Sequence, residues 1–142
     1  MGINKHNGEG YPDLTAYEAL TAVQREEKTK DRPYRPLIYV CSPFAGDVER
    51  NIENARRFCR FAVEQGAIPL APHLHYPQFM DDADPAQRKD GLRFALILLC
   101  KTDEVWVFGE NMSEGMKREI EKARAKNIPV RFFSSDCGVM CT

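Results

Sequence analysis

The chain has 142 residues, of which 43% are hydrophobic and 29% charged. That length suggests one domain with extensions, and the balance is that of a globular protein able to build one core. A formal net charge of −1 leaves no electrostatic case for a duplex-DNA binder. The longest apolar run, Phe94 to Cys100, is far too short to span a bilayer. The start, Met1 to Gly10, is polar and Gly-rich, unlike a signal peptide. No membrane partner is expected, and the expected location is the cytoplasm.

In chain order, residues 1–12 carry no pattern of regular structure. Asp13 can cap a helix from Leu14, with Leu14, Tyr17, Leu20 and Val23 as a loose apolar stripe, followed by a charged run that ends at Pro33. Residues 1–34 therefore read as a tail and an appended helix. Leu37 to Cys41 is a short apolar run with β-branched and aromatic residues, which predicts a buried strand. Ser42 to Asp47 is a turn. Val48 to Gln65 places Ile52, Ala55, Cys59, Ala62 and Val63 on one face of a helix, and Gly66 ends it. Ala67 to Ala71 is a second strand, and His73 to Pro85 is a long loop. Asp84 caps the next helix with Pro85 at its first position, and Leu92, Ala95, Leu96 and Leu99 form its buried face. Glu104 to Phe108 is a third strand. Ser113 caps a helix to about Lys126, and Ile128 to Phe133 is a fourth strand. The domain proper spans 35–134, and 135–142 is a C-terminal tail.

The order β-α-β-α-β-α-β argues for an α/β protein with a parallel sheet and helices on both faces. Such folds bind ligands beyond the carboxyl ends of the strands. Chemistry is expected in Ser42–Asp47, Pro72–Asp84 and Gly109–Glu119.

Among the five cysteines, Cys41, Cys59 and Cys100 sit in apolar patterns and read as buried small hydrophobes. Cys137 and Cys141 lie four apart, but no second Cys/His pair has ligand spacing, so no metal site is expected. Glu119 lies about 60° around its helix from Met116, at the edge of the Met116–Ile120–Ala123 stripe. It is a candidate for a half-buried carboxylate, although the spacing equally fits a surface acid paired with Lys122 or Lys126. Tyr39, inside the first strand, needs a partner for its hydroxyl and otherwise reads as a core aromatic. Ser113 and Gly115 mark a helix N-terminus that can hold an anion or simply cap the helix. The Gly46 turn is a similar site, with Asp47 and Glu49 opposing an anion. His73 and His75 suit loop shaping or ligand contact better than metal binding. In the acidic cluster Asp81, Asp82, Asp84 and Asp90, the residue able to turn inward is Asp90. Asp103, before the third strand, equally fits a turn.

Three segments, Ile38-Tyr39-Val40-Cys41-Ser42-Pro43-Phe44, Gly66-Ala67-Ile68-Pro69-Leu70-Ala71-Pro72-His73 and Ser113-Glu114-Gly115-Met116-Lys117-Arg118-Glu119, resemble in order and spacing the nucleoside 2-deoxyribosyltransferase-like superfamily, and within it the DUF4406-type proteins. The resemblance covers about Arg35 to Phe133. It implies a Rossmann- or flavodoxin-like three-layer sandwich around a four- to five-stranded parallel sheet. It also implies that Glu119, four residues after Gly115, is a nucleophile that displaces the base from the sugar C1′, by the two-step logic of retaining glycosidases. Tyr39 would orient it, and Asp90, with Asp103 second, would protonate the leaving base. Ser42, Pro43, Phe44 and Gly46 in the first turn, His73 in the long loop, and Asp103, Ser113 and Gly115 would contact substrate. Ser113 stands where members acting on free nucleosides carry aspartate, and so favours a 5′-monophosphate. Ala45, where the monophosphate hydrolases carry arginine, and Met116, where a small residue is usual, depart from the pattern; Arg50 and Lys117 are the available substitutes. The implied partner is a nucleoside or nucleotide, the implied assembly a homo-oligomer, and no cofactor is required. The other functions that the sequence admits are a nucleotide-binding or sensing domain without turnover, and a helix-mediated interaction protein with a vestigial cleft.

Overall fold

The computed structural model describes residues 34–140. The expected Leu14–Lys30 helix and Cys141 lie outside the described residues. The strands are β1 (Leu37–Cys41), β2 (Ile68–Leu70), β3 (Glu104–Phe108), β4 (Val130–Phe133) and β5 (Val139–Met140). The helices are α1 (Val48–Glu64), α2 (Pro72–His75), α3 (Pro85–Leu99) and α4 (Glu114–Ala125), with a 3₁₀ turn at Tyr76–Gln78. The sheet order is β2-β1-β3-β4-β5. The first four strands pair in parallel, with Tyr39 opposite Leu70 on one side and Val105 on the other. This is the flavodoxin-like order, in which the chain reverses direction across the sheet between β1 and β3 and opens a crevice at their carboxyl ends.

The two-residue period of the strands sorts their side chains into two cores. Ile38, Val40, Trp106, Phe108 and Phe133 face α1 and pack on Phe58 and Ala62. Tyr39, Cys41, Val105 and Val107 face the other way, onto Leu99 of α3 and Met116, Ile120 and Ala123 of α4. Both faces of the sheet are covered, which gives the three layers expected. Local signals start the helices where the sequence places them. The Asp47 carboxylate accepts from the Arg50 N–H at 3.3 Å, Asp84 from Ala86 at 3.1 Å, and Ser113 from Met116 at 3.2 Å. Gly66, at φ +86°, makes the left-handed turn out of α1.

Four expectations change. On α1 the buried residues are Ala55, Phe58 and Ala62, while Val63 is exposed, because the Phe58 ring stacks on Phe108 at 4.4 Å and turns the apolar face toward it. The loop 73–85 is partly helical at α2 and the 3₁₀ turn, where Tyr76 packs edge-on against Phe94. The sheet is not wholly parallel: β5 runs antiparallel to β4. The chain returns through a turn held by Ser134 N–H to Gly138 O and Cys137 N–H to Ser134 O, with Cys137 at φ +65°. Finally, of the four leucine and alanine positions expected inside α3, Leu99 alone is fully buried, and Leu92 is 43% exposed.

Candidate active site

The carboxyl end of β1, the 72–82 segment, α3 and the start of α4 line a cavity of about 320 Å³. Because residues 39 and 41 point to the same face of β1, both reach the first two turns of α4, where Glu119 stands. The Tyr39 hydroxyl donates to Glu119 Oε2. The Cys41 thiol donates to Glu119 Oε1 at 3.4 Å. Tyr39 is 1% exposed and Cys41 fully buried, so both donors are fixed by the sheet.

Burial pushes the Glu119 carboxyl up from 4.5 to about 7, against the opposing effects of the Tyr39 and Cys41 hydrogen bonds and the nearby Arg118 charge. Burial, followed by the proximity of Glu119, raises the Tyr39 phenol and the Cys41 thiol well above their ordinary values, so both remain protonated donors. On the opposite wall His73 Nε2 and Ser42 Oγ share a hydrogen bond of 3.0 Å. Burial lowers the His73 imidazole from 6.5 to about 4, so it is neutral at pH 7. A carboxylate poised between its two protonation states, facing a largely apolar cavity, is suited to act as a nucleophile or a general base.

Phe44, Tyr76, Leu92 and Leu96 supply apolar wall, and Phe44 meets the His73 ring edge-on at 6.2 Å. Flat apolar surfaces of this kind suit a heterocyclic ring. Ser113 and Gly115 line the cavity where α4 begins, and Asp81, Asp82, Arg88 and Arg118 line its exposed edge. Neither arginine has an ion-pair partner among the described residues.

Tyr39, Ser42, Phe44, His73, Ser113, Gly115 and Glu119 thus come together as the sequence suggests. Four residues do not. Asp90 pairs with Arg93 at 3.5 Å on the solvent side of α3, because at 100° per residue it falls about 150° from the centre of the cavity-lining set Gln87, Arg88, Gly91, Leu92, Ala95 and Leu96. Asp103 accepts the Leu37 N–H at 2.8 Å at the amino ends of β1 and β3, the wrong end of a parallel sheet for this cavity. Gly46 shapes the first turn at φ +98° without lining the cavity. Pro43 lines a smaller cleft of about 160 Å³ with Asn51, Phe58 and Phe108. Sequence reasoning missed Cys41 as a partner of Glu119. Its signal was present, two residues from Tyr39 on one strand face. It also gave Asp81, Asp82 and the two arginines no place at the cavity.

The family model described as a domain of unknown function, DUF7768, matches residues 36–133. The chain belongs to the DUF7768 family. The match runs from just before β1 to the end of β4, and so takes in every element that builds the cavity. The sequence resemblance points instead to DUF4406-type proteins; the family model that matches is DUF7768. No curated protein matches the DUF7768 chain. Among solved structures it is similar to a 2-deoxyribosyltransferase from the psychrotolerant bacterium Bacillus psychrosaccharolyticus. The TM-score is 0.55, with 19% identity over 74% of this chain and 76% of that one. At that identity the likeness is one of fold. Among the described residues, no helix is long and apolar enough to cross a membrane, and no group of three or more His, Cys, Asp or Glu side chains is placed to hold a metal ion.

Proposed function

We propose that this DUF7768 protein cleaves or transfers the N-glycosidic bond of a 2′-deoxynucleoside or its 5′-monophosphate, with Glu119 as nucleophile. The observation that carries this reading is the buried Tyr39–Glu119 pair beside an apolar, ring-sized cavity at the β1/β3 crevice. The fold shared with a 2-deoxyribosyltransferase supports it. In the first step a Glu119 oxygen bonds to C1′ as the C1′–N bond breaks, and its electron pair leaves on the base nitrogen. Asp81 or Asp82 protonates that nitrogen, in place of Asp90, because these two acids line the cavity. Water or a second base then attacks C1′ and restores the carboxylate. Tyr39 holds the carboxylate in place, and neutral His73, fixed by Ser42, presents a polar contact without adding charge. No step requires a metal or an organic cofactor.

The two unpaired arginines favour the monophosphate. Arg88 and Arg118 stand at the exposed edge of the cavity, where a 5′-phosphate would project from a sugar held over Glu119. They occupy the role left open by Ala45. The active form is a homo-oligomer: α3 leaves Ile97 50% exposed, about 140° around the helix from the cavity-lining Leu92, and that outer side is the surface that a second copy would cover.

The test is chromatography of the protein incubated with deoxynucleosides and their 5′-monophosphates, alongside Glu119→Ala. Free base released by the wild type and lost in the variant is the expected result. No release from any substrate, with nucleotide binding retained in both proteins, would move the assignment to a nucleotide-sensing domain.

A further inference from the structure

We propose that Cys41 is a positioning residue that, together with Tyr39, holds Glu119 between two donors of unequal strength and so selects Oε1 as the oxygen that attacks C1′. This rests on the glycosyl-transfer reading of the site.

The placement follows from β1. Residues 39 and 41 are about 6.6 Å apart along a strand and share a face. The long tyrosine and the short cysteine converge on one carboxylate from two distances. The phenol takes Oε2, and the thiol takes Oε1 at 3.4 Å. The thiol has a second acceptor in Met116 O at 3.9 Å, so it is held at the first turn of α4 whichever oxygen it serves. An O–H donor to a carboxylate is among the strong hydrogen bonds, whereas a thiol is a weak donor. Negative charge is therefore drawn to Oε2, and Oε1 is held only by the weaker thiol contact. When Oε1 bonds to C1′ and the pair of the C1′–N bond leaves with the base, Oε2 becomes the carbonyl oxygen of the glycosyl ester and keeps the Tyr39 hydrogen bond. Only the weak thiol contact is given up. A hydroxyl at position 41 would hold Oε1 more tightly and slow its attack. A methyl there would leave Oε1 unheld.

The titratable and charged groups that share the cavity with Glu119 are Tyr39 from β1, His73 and Tyr76 of the 72–82 segment, Asp81 and Asp82 at its end, Arg88 from α3, and Glu114 and Arg118 from α4 itself, and Cys41 reaches Glu119 from β1. Of these, the structure gives only Tyr39 and Cys41 a hydrogen bond to the carboxylate.

Two measurements test the proposal. Infrared spectra of the intact wild-type protein, from which the Cys41→Ala spectrum is subtracted, isolate the Cys41 S–H stretching band. It is expected to shift as Glu119 titrates between about pH 5 and about pH 9. Second, pH profiles of base release are compared. Cys41→Ala removes a donor to the charged form and should move the acid limb up by roughly half a pH unit, whereas Cys41→Ser supplies a stronger donor and should move it down. Cys41→Ser should also lower the plateau kcat by roughly tenfold with KM unchanged. A mere packing role would not move the two limbs in opposite directions. An S–H band indifferent to pH, or limbs displaced in the same direction, would overturn the proposal. If the band follows pH but no substrate is cleaved, the glycosyl-transfer reading falls while the hold of the thiol on the carboxylate stands.

Discussion

Glu119→Gln is expected to stabilise the folded protein at neutral pH while abolishing base release. Glu119 has its carboxyl raised from 4.5 to about 7, chiefly by burial. As pH rises from 4.5, the unfolded chain gives up this proton and the native protein keeps it. Native stability is therefore complete below 4.5, falls as pH rises between 4.5 and 7, and above 7 carries the whole penalty. A gap of about 2.5 pH units at 1.36 kcal/mol each amounts to about 3 kcal/mol, and residual solvent contact trims this to about 1–3 kcal/mol. Glutamine has no such slope. Its amide faces the Cys41 thiol less well than a carboxylate does, but that loss is independent of pH and cancels when two pH values are compared. Urea denaturation of both proteins at about pH 4.5 and about pH 8 measures the difference. The variant should gain on the wild type by about 1–3 kcal/mol between the two. Two proteins whose stabilities run parallel with pH would refute the claim that Glu119 is buried at an energetic cost, and with it the physical reason for regarding the residue as an activated group.

His73 has the opposite sign. Burial lowers its pKa from 6.5 to about 4, so the unfolded chain takes up the proton first, and stability is lost as pH falls from 6.5 through 4. His73→Gln should flatten that loss in a urea series over the same range, and an unchanged acid limb would count against a neutral native histidine. Ser42→Ala strips the buried imidazole nitrogen of its partner and should lower stability by about 1–3 kcal/mol, read by thermal unfolding; a change within experimental error would mean that water replaces the hydroxyl. Arg88→Ala and Arg118→Ala should each raise KM for a 5′-monophosphate by roughly tenfold and leave KM for the free nucleoside unaffected, and Arg118→Ala should also move the acid limb up for both substrates, because its charge lowers the Glu119 pKa. Equal effects on both substrates would remove the arginines from phosphate binding. Ile97→Glu places a charge on the outer side of α3, where Ile97 is half exposed, and should lower the molecular mass measured by light scattering, whereas an unchanged mass would move the interface elsewhere.

How far the residues alone reach can be judged at particular positions. The starts of α3 and α4 were legible because Asp84 and Ser113 act on N–H groups two or three residues away, a local interaction that needs no tertiary partner, whereas the Asp47 cap of α1 and the uncapped α2 were not read from the sequence. The four parallel strands were legible because each is a short apolar run between turn signals. β5 was not, since two residues carry no period and their pairing depends on β4. Asp90 and Asp103 attracted attention as acids near ligand-bearing segments. Their actual places depend on the rotation of α3 about its axis and on which end of the sheet a loop occupies, and neither is encoded in neighbouring residues.

By itself, the sequence determined the alternation of strands and helices, the caps that start α3 and α4, the sharing of one strand face by Tyr39 and Cys41, and the placing of Glu119 at the edge of an apolar stripe. These follow from periods and caps that act over a few residues. The tertiary structure decided whether that edge faced water or the sheet. It brought Glu119 within reach of residues 80 and 78 positions earlier in the chain, and so chose between a surface acid paired with a lysine and a buried carboxylate with a pKa of about 7. Desolvation depends on what surrounds a group in space, and for Glu119 those surroundings come largely from β1, α3 and the 72–82 segment, none of them its neighbours along the chain.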